Sequence, residues 1–472
     1  MTGEEICWMT ARELIDAYRR KDLSPVEATR AILDRIEAVN PGLNAIVTLT
    51  AELAMEQARR SEDAYRRGDA RVLEGVPVTI KDLIVTEGIR TTFGSRLYEG
   101  NVPDKDAVLV ERLKRAGTVM LGKTNTPEFG LVAVTDNLVF GPSRNPWDPG
   151  KTTGGSSGGA AGALAAGMGP LAVGNDGGGS IRVPASLCGV FGIKPQFGRI
   201  PSYGKPFHGW EMMNAEGPMA RSVADAALML DVMAGPDERD RFSIPAPGVG
   251  YLDSLGGGLK GLRVAYTSGL AVQAVDPEIV EITGKAAAVL EGLGCDVEEA
   301  DPGIPDMSGD LVTVVVLETA TAHEDNIEKA KEMMYPLYRP FLDLASAFSS
   351  MDYARVLFHR EDLWERLWPF FDRYDLLITP TTACPAFDLK EGGTLAPESI
   401  DGKEVTPASW IGFTFPFNFT GQPAASVPCG FTKDGLPVGL QIVGRRYDEP
   451  TVLRAAAAFE EATPWSERRP GL

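Results

Sequence analysis

The chain carries only three histidines among 472 residues, His208, His323 and His359. All three sit in stretches without a matching motif, so each reads as packing or surface, and histidine-based acid–base chemistry has little to build on. Cysteine is nearly as scarce. Cys7, Cys188, Cys295, Cys384 and Cys429 are odd in number and scattered. That pattern excludes a disulfide framework and the paired spacing of zinc sites, and it points to a reducing, cytoplasmic setting. Basic charge is also in deficit, with a formal net charge of −19. An excess of this sign disfavours nucleic acid and anionic membrane surfaces as partners. No apolar run approaches the ~20 residues that cross a bilayer. The opening MTGEEICWMTAREL is acidic and lacks a signal-peptide core. With 44% hydrophobic and 24% charged residues the composition is that of a soluble globular protein.

Glycine, by contrast, is concentrated. Residues 154–180 hold 11 glycines in 27 positions, against 52 in the whole chain. Glycine costs conformational entropy on folding, so such density calls for positive φ, close backbone packing or backbone amides that must approach a ligand. Ser156, Ser157 and Ser180 stand among these glycines, and a hydroxyl beside bare amides is what acyl transfer requires. Cys188 lies just beyond, has no evident base, and reads as a small buried hydrophobe. For a serine nucleophile the base candidate is Lys81. Val76, Val78 and Ile80 alternate as in a strand that delivers the lysine at its end. Burial there drives a lysine toward its neutral, basic form, although a solvated surface lysine is the commoner fate.

GGSSGG at 154–159, GNDGGGSIR at 174–182 and CGVFGIKP at 188–195 resemble the amidase signature family. So do VPVTIKD, AGTVMLGKTNTPEFG and RNPWDPG upstream, and TPTTACPAF and GQPAASVP downstream. The resemblance runs from about residue 10 to the end of the chain and is weakest over 236–373. It implies a Ser–cis-Ser–Lys triad, with Ser180 as nucleophile, Ser156 as bridging serine and Lys81 as base. The N–H groups of Gly177, Gly178, Gly179 and Ser180 would form the oxyanion hole, with Ser157, Asp176 and Arg182 in support and no metal or organic cofactor. In one departure, the family commonly has a side chain where this chain has Gly177, which predicts a more flexible oxyanion loop.

Two other motifs fail on context. Residues 117–124 match the phosphate-binding G-x-x-x-x-G-K-T pattern, but a helix precedes the first glycine and the intervening residues are strand-like. Residues 154–158 match the nucleophile elbow G-x-S-x-G, but a turn-rich loop precedes them where a strand is required.

Helical patterns over 10–40, 51–67, 104–116, 157–167, 223–234, 277–293 and 450–462 alternate with short apolar strands. Ser24 opens a capping box with Pro25 at the first helical position. This predicts an α/β fold, a mixed central sheet covered on both faces, in a single domain spanning 1–472. Residues 305–373 read as a helical substrate-cap subregion. In 410–419 five aromatics largely alternate, which predicts an extended segment presenting Phe413 and Phe415 on one face and, with Trp410, lining an apolar substrate route. That wall serves equally well as plain core.

The reaction so implied is hydrolysis of a small-molecule carboxamide through an acyl-enzyme. The substrate is an aryl or alkyl acylamide, a lactam oligomer, a carbamate (urethane) or an ester, and a homodimer is left open. Two alternatives stand beside it: the glutamine-hydrolysing subunit of a tRNA-dependent amidotransferase, and a non-catalytic scaffold.

Overall fold

The computed structural model describes all residues except 205–208, 211 and 271. Among the described residues the thirteen strands are β1 Ile46–Leu49, β2 Pro77–Lys81, β3 Val119–Thr124, β4 Leu171–Asp176, β5 Phe191–Lys194, β6 Ala215–Ala220, β7 Arg263–Tyr266, β8 Asp296–Glu299, β9 Leu376–Pro380, β10 Ser399–Ile400, β11 Lys403–Glu404, β12 Ala424–Phe431 and β13 Pro437–Gly444. Strands β10 and β11 form a small hairpin. The other eleven make one sheet in the order β1-β3-β2-β4-β6-β5-β12-β13-β9-β7-β8. It is mixed: β2 runs parallel to β3 and β4, β7 runs parallel to β8 and β9, and the strands between these patches pair antiparallel.

The order places the site. From β2 the chain steps to β3 on one side, then returns to β4 on the other. Open α/β sheets hold their ligands at such a reversal, beyond the carboxyl ends of the strands. Ile80 faces Val173 at the last paired position of β2 and β4, so Lys81 and Gly174–Asn175 follow side by side where the two strands part.

Local chemistry accounts for the helices. Ser24 caps Pro25–Leu43 in a reciprocal box with Glu27, and Thr10 does the same for Ala11–Arg20 with Glu13. The buried helix Gly158–Ala165 is glycine- and alanine-rich because the chain crowds it. A β-carbon on Gly159 would lie 2.3 Å from the Asn125 nitrogen and 2.5 Å from the Ala45 oxygen. The Gly122-Lys123-Thr124 of the phosphate-loop pattern lies inside β3, where buried Lys123 donates to the Thr86 and Thr91 hydroxyls, each at 3.0 Å. No loop is left there to cradle a phosphate.

Residues 305–373 are helical as expected, in Ser308–Ala322, Ile327–Met333, Arg339–Asp343 and Ser350–Arg373. The extended aromatic segment is not found. Ser409–Ile411 is a 3₁₀ turn and Pro416–Phe419 a helical turn with proline at its start, so a two-residue period no longer marks one face.

The helical stretch is tied to the sheet side by Glu128. Its carboxylate accepts from the Ser95 hydroxyl at 2.6 Å and from the Tyr335 N–H at 2.8 Å, while the Tyr335 hydroxyl donates to Asp136 at 2.8 Å. Burial pushes the Glu128 carboxyl up to about 7, against an ordinary 4.5. Between those values the folded chain holds a proton that the unfolded chain has released, so this group's contribution to stability declines as pH rises through the window. We expect the melting temperature to fall between pH 5 and pH 8, and Glu128→Gln to flatten that fall in calorimetric scans. An unchanged slope would remove Glu128 as its source.

Candidate active site

Lys81, at the end of β2, is fully buried (0% exposed). Its Nζ donates to Ser156 Oγ at 2.6 Å and to Asn175 Oδ1 at 2.6 Å. Asn175 donates in turn to Asn214 Oδ1 at 2.9 Å, and Asn214 to Glu216 Oε1 at 3.1 Å. The peptide bond between Gly155 and Ser156 is cis. Gly130 leaves room beside the Ser156 hydroxyl, since a β-carbon there would come within 3.3 Å of Ser156 Oγ. Ser157 supports the junction through its N–H to the Ser180 carbonyl at 3.1 Å and its hydroxyl to the Asn175 carbonyl at 3.3 Å. The Ser180 hydroxyl makes no hydrogen bond among the described residues, and half-buried Ser180 lies on a cavity wall with Gly155, Gly178 and Gly179.

The glycine loop hangs on Asp176. Burial alone would push this carboxyl up, but the adjacent Arg182 guanidinium, with hydrogen bonds from Arg182 and Asn418, holds it well below the usual carboxylate range. Arg182 Nε and Nη2 donate to the two Asp176 oxygens at 3.0 and 2.9 Å. The remaining guanidinium donors reach the Thr414 carbonyl, Gln441 Oε1 and Asn418 Oδ1 at 2.8, 2.7 and 2.6 Å. Both side chains are wholly buried.

Asp176 Oδ1 also accepts the Gly179 N–H at 2.7 Å. This corrects the expectation that Gly179 is an oxyanion donor: its amide is already committed. The Thr414 hydroxyl meanwhile donates to the Gly178 carbonyl at 2.8 Å. Gly179 itself, at φ +126°, leaves no space for a side chain, because a β-carbon would lie 2.3 Å from Thr414 Oγ1. Gly177 does not loosen the loop either. The indole of Trp210 packs where its side chain would be, with Cε3 2.8 Å from a β-carbon at 177.

The cavity, about 90 Å³, is walled by Leu131, Val132, Ala133, Trp210, Leu311, Val312, Val315, Phe341, Leu395, Pro407, Ala408 and Ile411. No charged side chain lines it among the described residues. Trp410, Phe413 and Phe415 are buried but absent from this wall. Trp410 stacks edge-on against Phe387, and the Phe413 carbonyl accepts from Gln441, so the segment is core that backs the site rather than the substrate route expected of it. Burial pushes the Cys188 thiol up, as befits a packed hydrophobe. His323 bonds the Thr319 carbonyl and His359 bonds Asp310, so neither pairs with a serine of the glycine stretch, and His208 lies outside the described residues.

Asn175, Gly130, Asn418 and Trp210 are the members that the residue pattern did not single out. Asn175 stands inside the GNDGGGSIR motif itself, one residue before Asp176. Asn418 and Trp210 carry no local signal, because their partners are distant in the chain.

The Amidase family profile matches residues 27–453. An acylamidase of Rhodococcus erythropolis is 40% identical over 480 residues, covering 100% of this chain and 98% of that protein. A glutamyl-tRNA(Gln) amidotransferase subunit from Moorella thermoacetica is 40% identical over 498 residues, with 99% of each chain covered. The crystal structure of a bacterial aryl acylamidase of the amidase signature family superimposes with a TM-score of 0.92 at 34% identity, covering 98% of this chain and 97% of that one. The chain therefore belongs to the amidase signature family. It is a hydrolase of carbon–nitrogen bonds in linear amides.

The buried ion pair yields a stability prediction. Arg182→Leu strands the Asp176 charge without its partner, and we expect a loss of about 3–5 kcal/mol in denaturant unfolding. A loss below ~1 kcal/mol would show that the loop is held by something else.

Proposed function

We propose that the protein is an acylamidase of small apolar amides that works through an acyl-enzyme on Ser180. Ser180 Oγ attacks the carbonyl carbon while its proton passes to Ser156 Oγ, and the Ser156 proton passes to neutral Lys81 Nζ. The N–H groups of Gly177, Gly178 and Ser180 hold the developing oxyanion. As the C–N bond breaks, Ser156 protonates the departing amine and is resupplied by Lys81. Water then cleaves the ester by the same route, releasing the acid and restoring all three groups. The Ser156–Ser180 link is the one contact of the relay left to close, and catalytic hydrogen bonds commonly tighten only around a seated substrate.

The observation that carries the substrate class is the wall. A free glutamine brings a carboxylate and an ammonium into the site, and burying either without a partner costs far more than an apolar wall returns. An aryl or alkyl amide meets Leu311, Val315, Phe341 and Ile411 with no such cost. The helices within 305–373 serve as the cap that supplies three of these side chains. Anilides, alkyl amides, lactam oligomers, carbamates and esters of this apolar kind form the substrate range, in which aryl and alkyl acylamides lead. On this reading the protein needs no second kind of subunit, works alone or as a homodimer, and resides in the cytoplasm.

Treatment with an alkyl fluorophosphonate should label Ser180, as read by peptide mapping. Label on Ser156 or Ser157 with Ser180 untouched would overturn the assignment. Lys81→Ala, with folding checked by circular dichroism, should lose on the order of 10²–10⁴-fold in turnover of an anilide. Glutamine should be hydrolysed poorly in comparison, and a clear preference for glutamine would instead favour the amidotransferase reading.

A further inference from the structure

Beside the apolar cavity lies a second, more polar one of about 370 Å³, whose lining mixes Ile200, Tyr203 and Phe242 with Glu238, Asp240 and Arg241. Among the described residues Trp210 alone lines both. Its backbone is pinned from two directions: its N–H donates to Glu318, and its carbonyl accepts from the N–H groups of Met213 and Asn214 at 3.1 and 2.9 Å. Glu318 is itself held by the Tyr353 hydroxyl at 2.8 Å. The residue sits at φ 60°, a left-handed conformation uncommon for tryptophan. The same ring occupies the side-chain space at Gly177. Gly177 is not in the left-handed region, so what bars a side chain at 177 is the indole and not the backbone.

We propose that Trp210 is a specificity-determining residue, a partition that Gly177 makes room for, which confines the substrate to the apolar cavity and keeps it out of the polar one. The inference rests on the Ser180 reading above. With the ring in place, the space beside Ser180 ends at an apolar face and admits compact apolar groups. Without it the two cavities join, and an extended chain with a charged end gains Arg241 and solvent as partners, Arg239 being already paired with Glu111 and Asp237. Gly177 and Trp210 then act as a pair, since a methyl group at 177 must push the ring aside.

The test compares kcat/KM for p-nitroacetanilide with two extended anilides, one lengthened on the acyl side and one on the aniline side by a chain ending in a carboxylate. In Trp210→Ala the extended-to-compact ratio should rise about tenfold or more for one of the two, the scale on which pocket size discriminates. Trp210→Phe should fall between that variant and the wild type, and it serves as the reading should the alanine variant fail to fold. Gly177→Ala should move the same ratio in the same direction, and adding it to Trp210→Ala should change the ratio no further. Ratios within twofold of wild type in both Trp210 variants, with Ser180 still labelled by the fluorophosphonate, would overturn the partition and leave the acyl-enzyme standing. Failure of the wild-type protein to label at Ser180 would remove both.

Discussion

A single buried ion pair, Asp176 with Arg182, holds the parts of the site together. Burying two charges carries a desolvation penalty that is recovered only where the geometry is good and the remaining donors and acceptors are filled. Here they are filled from far along the chain, by Thr414 and Asn418 within the aromatic segment and Gln441 in β13, and from close by, by the Gly179 amide of the loop itself. One guanidinium thus ties the end of β4, the glycine loop and two segments some 230 to 260 positions away. A run of glycines has no side chains with which to fix its own path. The pair substitutes for them, and commits one amide of the loop to structure in doing so.

What the sequence disclosed was what is local. The glycine density, the strand ending in Lys81, the capping box at Ser24 and the helix Ala51–Arg67 depend on neighbours a few residues away, and they stand where the residue pattern puts them. Asn175 needed the β2–β4 register, which no local pattern carries. Strand β6, Ala215–Ala220, includes Glu, Gly and Pro and so hides its nature, while β8 is acidic and lies at the sheet edge. The aromatic stretch erred in the opposite way. Alternation is a strand signal only if the backbone is extended, and Pro416 at the start of a helical turn overrides it.

The wall of the candidate site explains why its residues resist discovery one at a time. Leu131, Leu311, Phe341, Leu395 and Ile411 come from five separate segments, and each looks like ordinary core in its own context. Only their convergence on the Ser180 side of the glycine loop makes them a cavity. The tie between Glu128 and Tyr335 belongs to the same convergence, because it docks the helical stretch that carries Phe341 against the segment that carries Gly130 and Leu131.

Gly177 shows how a departure from a family pattern reads differently in sequence and in space. In the string of letters, a missing side chain in the glycine loop means added freedom. In the folded chain the vacated volume is filled by an indole whose own backbone is held by Glu318, Met213 and Asn214. Asn214 also belongs to the hydrogen-bonded chain that leads through Asn175 to Lys81. Packing density in a protein interior leaves little unused space, so a lost β-carbon is offset by a neighbour moving in. Where that neighbour is a large aromatic ring on the boundary between an apolar and a polar cavity, rigidity is preserved, and the shape of the site is handed to a residue 33 positions downstream.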